Sequence, residues 1–292
     1  MRRLIVNADD FGYTAGVNRA IVEAHTRGIV TSTTLMANGP AFSEAARIAG
    51  GTPRLSVGCH VVLIDGSPLL APNQISSLRG TSGGPSFRDG LMSFAARSIA
   101  GLLDPEEIEA EATAQIRKVQ SFGIAVSHFD THKHTHIFPP VLRPLLRAAA
   151  ACGVSAVRNP FGPRLPLRSS ELLATPSLWK RTAEVRILRG FARKFRESVD
   201  RLGFSTPDGT LGIEVTGVLD ERLFRAIAET IPQGTWEFVC HPGYNDADLQ
   251  AANTRLRESR ELELQALTLP TARALLAEKD IELISYRDLV QH

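Results

Sequence analysis

The chain has 292 residues, 43% hydrophobic and 22% charged, which excludes a disordered or fibrous polypeptide and suffices for one large α/β barrel or two small domains. A net charge of +2, from 33 basic and 31 acidic residues, gives no electrostatic footprint for nucleic acid. The three cysteines, Cys59, Cys152 and Cys240, form no Cys-x-x-Cys pair, which argues against a disulfide framework or zinc knuckle and suits a reducing cytoplasm.

In chain order, short apolar runs alternate with helical patterns. The runs Leu4–Asn7, Thr31–Met36, Leu55–Leu63, Val126–Asp130, Ala156–Arg158, Gly212–Thr216, Trp236–Cys240 and Ile281–Ser285 read as strands. A helix from Ala15 to Arg27 stops at Gly28 as a C′ residue. A second opens at Asp104-Pro105 with a cap, a first-turn proline and acids at the dipole's positive end, and closes at Gly123. A third follows Pro139-Pro140 and closes at Gly153. This alternation predicts a single (β/α)7–8 barrel-like domain over residues 1–292, a mostly parallel sheet wrapped by helices, although an open doubly wound sheet patterns similarly. Residues 65–103, rich in Gly, Ser and Pro, and residues 163–203 read as insertions, the first as a long loop near the site. No apolar stretch spans a bilayer, and the N-terminal run meets two acids too soon for a secretory leader, so a cytoplasmic location is expected.

Ligands bind beyond the C-terminal ends of parallel strands, and the chemistry-bearing residues fall there. Asp9-Asp10 follows the first strand, His60 lies in the third, the run His128 to His136 ends the fourth, and His241 ends the seventh. Strand alternation puts His128, Asp130 and His132 on one face. It also turns Cys59 away from His60 and Cys240 away from His241, so the cysteines read as core residues. One carboxylate and two imidazoles can hold a cation with positions left open for water and substrate. A second acid can take a proton from water and a histidine opposite can protonate a departing amine, which together amount to metal-assisted amide hydrolysis. The tandem acids suit a split into one base and one ligand.

The motifs Asn7-Ala8-Asp9-Asp10-Phe11-Gly12, Thr31-Ser32-Thr33-Thr34, Gly58-Cys59-His60, Asp130-Thr131-His132-Lys133-His134-Thr135-His136 and Cys240-His241-Pro242-Gly243 together resemble the YdjC-like carbohydrate deacetylases, in order and over nearly the whole chain. Thr206-Pro207-Asp208-Gly209-Thr210, Tyr244-Asn245-Asp246 and the run Thr254 to Glu261 resemble the hopanoid-biosynthesis-associated branch. The resemblance implies a divalent metal on Asp10, His60 and His132, Asp9 as general base, and His241 as general acid or transition-state stabiliser. It also implies a barrel-like fold, a homodimer and an N-acetylated sugar or glycolipid substrate. It implies magnesium, whereas two imidazole ligands suit zinc, cobalt or manganese, so the ion stays open. The chain departs from the family pattern at Thr131, where serine is usual, and at Lys133, where a more neutral residue stands.

The remaining polar residues carry two readings each. Asp130 either ligates or, the reading preferred, orients a histidine as a hydrogen-bond acceptor. Arg158 either orients Asp9 or ends a strand at the surface. His134 and His136 are either loop residues near the substrate or solvated. Leu178 to Leu202 has one apolar helical face and a strongly basic remainder, either a barrel helix with a solvated face or an interfacial helix that meets anionic membrane at its inner face. Competing functions are hydrolysis of another amide or ester, a non-haem iron oxygenase, which also uses two histidines and one carboxylate, and a non-catalytic carbohydrate- or lipid-surface binder.

Overall fold

The computed structural model describes residues 1–80, 86–163 and 188–290. Seven strands run in chain order as β1 (Arg2–Phe11), β2 (Ser32–Leu35), β3 (Ser56–Val61), β4 (Phe129–Thr131), β5 (Gly209–Leu211), β6 (Gly234–Cys240) and β7 (Ile281–Ile284), and every pairing is parallel. β1 is the hub, with Leu4 to Phe11 wholly buried, as expected of a parallel strand covered on both faces. One edge of β1 pairs with β6 from Arg2 to Ala8. The other is shared: β7 takes Arg2 to Ile5 and β2 takes Asn7 onward.

The sheet runs β4-β3-β2-β1-β6-β5. Its two ends meet through residues 155–161. Val157 bridges to Phe129 of β4, Ala156 bridges to Ser205, and Thr210 of β5 donates its amide to the Phe161 carbonyl at 3.3 Å. The predicted barrel is present, with Ala156–Arg158 contributing single bridges rather than a full strand. Gly212–Thr216 is a series of turns, not a strand. The strand lies just before it at Gly209–Leu211 and ends where Gly212 turns left-handed (φ 94°).

Eleven helices among the described residues cover the sheet: α1 (Ala15–Thr26), α2 (Phe42–Gly50), α3 (Leu91–Ile99), α4 (Pro105–Ser121), α5 (Pro139–Ala151), α6 (Ala192–Arg201), α7 (Glu221–Glu229), α8 (Ala247–Ala251), α9 (Glu258–Thr268), α10 (Pro270–Glu278) and α11 (Tyr286–Val290). The predicted stops hold at α4 and α5, where Gly123 and Gly153 take positive φ after the last turn. Gly28 follows α1 for another reason: a Cβ there would lie 2.3 Å from the Leu267 carbonyl. Residues 65–103 are not one long loop, since α3 forms within them. Of the basic stretch Leu178 to Leu202, residues 178–187 lie outside the described residues. In the remainder, Phe195 and Val199 of α6 are buried, so its apolar face packs inward and not toward lipid. Among the described residues, no helix is long and apolar enough to cross a membrane.

Parity sorts the two sides of the barrel wall. Leu4, Val6 and Ala8 join the large core beneath the helices, while Ile5 faces inward to a small cluster with Ala156, Ile284 and Tyr286. The other inward positions are polar and buried, among them Asn7, Asp9, His60, Asp130, Arg158 and Glu237. The barrel interior is thus a polar column above a small apolar floor. His128 stacks on Tyr286 with ring centroids 3.5 Å apart, and a Cβ on Gly58 would lie 2.5 Å from the His128 ring. Gly58→Ala is expected to lower unfolding free energy by about 1–3 kcal/mol, measured by urea denaturation, because it overpacks this floor.

Candidate active site

Neighbouring residues on a regular strand face opposite ways, yet both acids of Asp9-Asp10 reach the barrel mouth. The β1–β2 register breaks between Ala8 and Phe11, and Asp10 adopts a left-handed backbone (φ 68°). This irregularity re-aims Asp10 onto the same side as Asp9.

Asp10, His60 and His132 come together as the sequence predicts. Asp10 Oδ1 lies 3.5 Å from His60 Nε2 and 3.6 Å from His132 Nδ1. Three donor atoms of these residues lie within 4.8 Å of one another. Ligands about 2.0–2.2 Å from a tetrahedral ion stand about 3.4 Å apart, so the spacing fits a first-row divalent cation. The outward atoms are already engaged. Asp130 Oδ1 accepts from His60 Nδ1 at 2.7 Å, turning Nε2 toward Asp10, and Arg260 Nη2 donates to Asp10 Oδ2 at 2.5 Å, leaving Oδ1 for the centre. Asp9, His60 and Asp130 form a second possible group, but there Arg158 already neutralises both acids. Side-chain exposure is 2% at His60, 6% at Asp10 and 22% at His132, so the site opens to solvent past His132.

Beneath this centre sits Arg158, wholly buried. It donates to both oxygens of Asp9 at 2.6 and 2.7 Å and to Glu237 Oε1 at 2.8 Å, and it pairs closely with Asp130 Oδ2. Glu237 is completed by the Tyr286 hydroxyl at 2.5 Å and the Thr210 hydroxyl at 3.1 Å. Asn7 adds a 2.9 Å hydrogen bond to Asp9. Burial opposes ionisation of Asp9, but Arg158, with lesser help from His60 and His241, holds its carboxyl far below the usual range. Burial likewise opposes charge on His60, yet Asp130, followed by Asp9 and Asp10, lifts its imidazole to about 9. The surface reading of Arg158 is overturned, and its orienting contact with Asp9 is bidentate.

His241 stands on the other side, its Nε2 3.8 Å from Asp9 Oδ2. Glu263 Oε2 accepts from the His241 backbone amide at 2.6 Å and lies 3.9 Å from Nδ1. Burial lowers the His241 pKa, against the pull of Glu263 and Asp9. Burial thus favours the neutral ring, with a carboxylate placed to stabilise its cation once formed.

A family model described as YdjC-like protein matches residues 3–278. The chain belongs to the YdjC-like family. A carbohydrate deacetylase of Geobacillus stearothermophilus is 34% identical over 98% of both chains. A chitooligosaccharide deacetylase of Serratia marcescens is 33% identical, over 98% of this chain. Among solved structures, an Enterococcus faecalis V583 protein whose name proposes cellobiose-phosphate cleavage superposes with a TM-score of 0.78 at 26% identity, covering 99% of this chain and 98% of its own.

Within this YdjC-like site, His134 and His136 do not share one fate. His136 is fully buried: Thr131 Oγ1 lies 2.6 Å from its Nδ1 and accepts its amide at 3.0 Å, and the ring packs 6.3 Å from Phe195. It is buried rather than solvated. His134 Nδ1 is buried without a hydrogen-bond partner, and burial, reinforced by Arg158, pushes its imidazole down to about 3. Cys59 and Cys240 lie in the helix-side core as alternation predicts. Sequence reasoning missed Glu237, Glu263 and the role of Arg260. Glu237 carried a signal, since an acid inside the strand Trp236–Cys240 has to face a partner if it faces the barrel. Arg260 and Glu263 sit on α9, far along the chain, and carry no comparable pattern. Arg158→Met is expected to cost about 3–5 kcal/mol of unfolding free energy by urea denaturation, because it leaves buried carboxylates without their shared cation.

Proposed function

We propose that this protein is a metal-dependent carbohydrate deacetylase that hydrolyses the acetamido group of an N-acetylglucosamine unit, releasing acetate and a free amine. The observation that carries the reading is the convergence of Asp10, His60 and His132, with Asp9 and His241 beside them, in a chain similar over its length to carbohydrate deacetylases. A divalent cation bound by those three residues would supply Lewis acidity toward water and the amide carbonyl.

The chain's own residues supply the rest. Asp9 Oδ2 and His241 Nε2 stand 3.8 Å apart at the mouth of the barrel, so a substrate group bound over them would lie within reach of both. Asp9, fixed by Arg158, takes the proton from the attacking water. His241, with Glu263 to stabilise its cation, delivers a proton to the departing nitrogen. A second reading of these roles is favoured by the Arg158 clamp, which makes Asp9 a weak base. In it His241 both takes and returns the proton, and Asp9 orients it.

The resemblance to the hopanoid-associated branch supports an N-acetylglucosaminyl bacteriohopanetetrol-type glycolipid as substrate. The name of the Serratia marcescens relative supports a chito-oligosaccharide instead. Mass spectrometry of each candidate incubated with metal-loaded protein decides between them by the loss of one acetyl group. Anaerobic acetate release would dispose of the oxygenase alternative. The family resemblance also supports a single-domain homodimer, which sedimentation would read.

Asp9→Asn is expected to lower the rate of acetate release about 10²–10⁴-fold while sparing metal uptake, whereas His60→Ala loses both. A larger loss in His241→Asn than in Asp9→Asn would select the second assignment. Full activity in Asp9→Asn and in His241→Asn would sink the proposed chemistry.

A further inference from the structure

Five non-glycine residues among those described adopt a left-handed backbone, and four lie at the mouth of the site or beside it: Asp10 (φ 68°), Asp65 (55°), Lys133 (53°) and His134 (53°). The Cβ disfavours each of them, and two in succession persist only where surrounding contacts over-determine the backbone. Lys133 and His134 directly follow His132, so their turn sets the direction in which the chain leaves the end of β4, and with it the aim of the His132 ring.

One contact reaches across to this turn from the insertion. Lys133 Nζ pairs closely with Asp65 Oδ2, a carboxylate with only 9% of its side chain exposed. Asp65 is itself rooted: its Oδ1 accepts from the Gly90 amide at 2.8 Å, and its own amide donates to the Arg88 carbonyl at 3.1 Å. The next residue, Gly66, accepts from the Phe87 amide at 2.9 Å. An exposed ion pair would contribute little. This one has a nearly buried, doubly anchored acid at one end and the neighbour of a candidate ligand at the other.

We propose that Asp65 and Lys133 are positioning residues, a clamp rooted in Arg88 and Gly90 that holds the left-handed turn and so presents His132 to the cation. The inference deepens the deacetylase reading and rests on its metal centre. It also assigns a role to Lys133, which the sequence marked only as a departure from the family pattern. Asp65 then has a task at the site: it fixes the most exposed candidate ligand, whereas Asp10 and His60 are fixed by Arg260 of α9 and Asp130 of β4.

The test is a Co²⁺ titration of the full-length protein followed by visible absorption, which reads ligand geometry without turnover. Asp65→Asn and Lys133→Met are each expected to weaken Co²⁺ binding about tenfold and to change the absorption band. Lys133→Gly adopts the turn without strain and loses less, and Asp65→Asn added to it costs less than in the wild-type chain. Wild-type affinity and spectrum in both Asp65→Asn and Lys133→Met would overturn the clamp, as would full additivity in the double variant. Wild-type Co²⁺ binding no different from that of His60→Ala would overturn the metal centre itself, and the clamp with it.

Discussion

The structure depends on one buried cation. Arg158 sits at the centre of the barrel with Asp9, Asp130 and Glu237 around it, and each of these acids passes the constraint outward. Asp9 faces His241, Asp130 fixes the orientation of the His60 ring, and Glu237 holds Tyr286 on the floor. Isolated carboxylates in this interior would protonate rather than ionise, and isolated imidazoles would lose their charge. A guanidinium that is always charged and forked in a plane can satisfy several oxygens at once, which a lysine could not. The orientation of the candidate catalytic groups and the stability of the barrel therefore rest on the same few hydrogen bonds.

This explains a departure from ordinary barrel architecture. Small barrels of parallel strands are commonly filled by layers of branched apolar side chains. Here, among the described residues, the apolar filling consists of Ile5, Ala156, Ile284 and Tyr286 at the floor, and polar groups occupy the column above. The large apolar core lies outside the sheet, beneath the helices. The fold draws its hydrophobic stabilisation from one side of the wall and presents chemistry on the other.

The strand-end residues were legible in the sequence because strand alternation and parallel topology are both local signals. They placed Asp10, His60 and His132 at one edge and turned Cys59 and Cys240 away from it. The same logic could not anticipate the bulge that brings Asp9 and Asp10 to one side, since it depends on how β2 pairs with β1. Nor could it settle Arg158, whose three partners come from three other segments. The turns at Gly212 replaced a predicted strand because Gly209–Leu211 had already found β6, and apolar content alone does not mark where pairing ends. The burial of His136 was missed for a related reason: a histidine-rich run reads as exposed until Thr131 is seen to fold it back.

β7 enters the sheet late in the chain yet pairs with β1, near its beginning, and Tyr286 just after it caps the interior. As synthesis proceeds, the half-made barrel carries Arg158 and its acids with their floor still missing. Contacts of such wide sequence separation form slowly, because a long loop has to close before they stabilise anything. The floor beneath Arg158 and Asp9 thus closes only after Ile281 to Tyr286 have been made, and a ribosome stalled before Ile281 would leave the barrel open at its base.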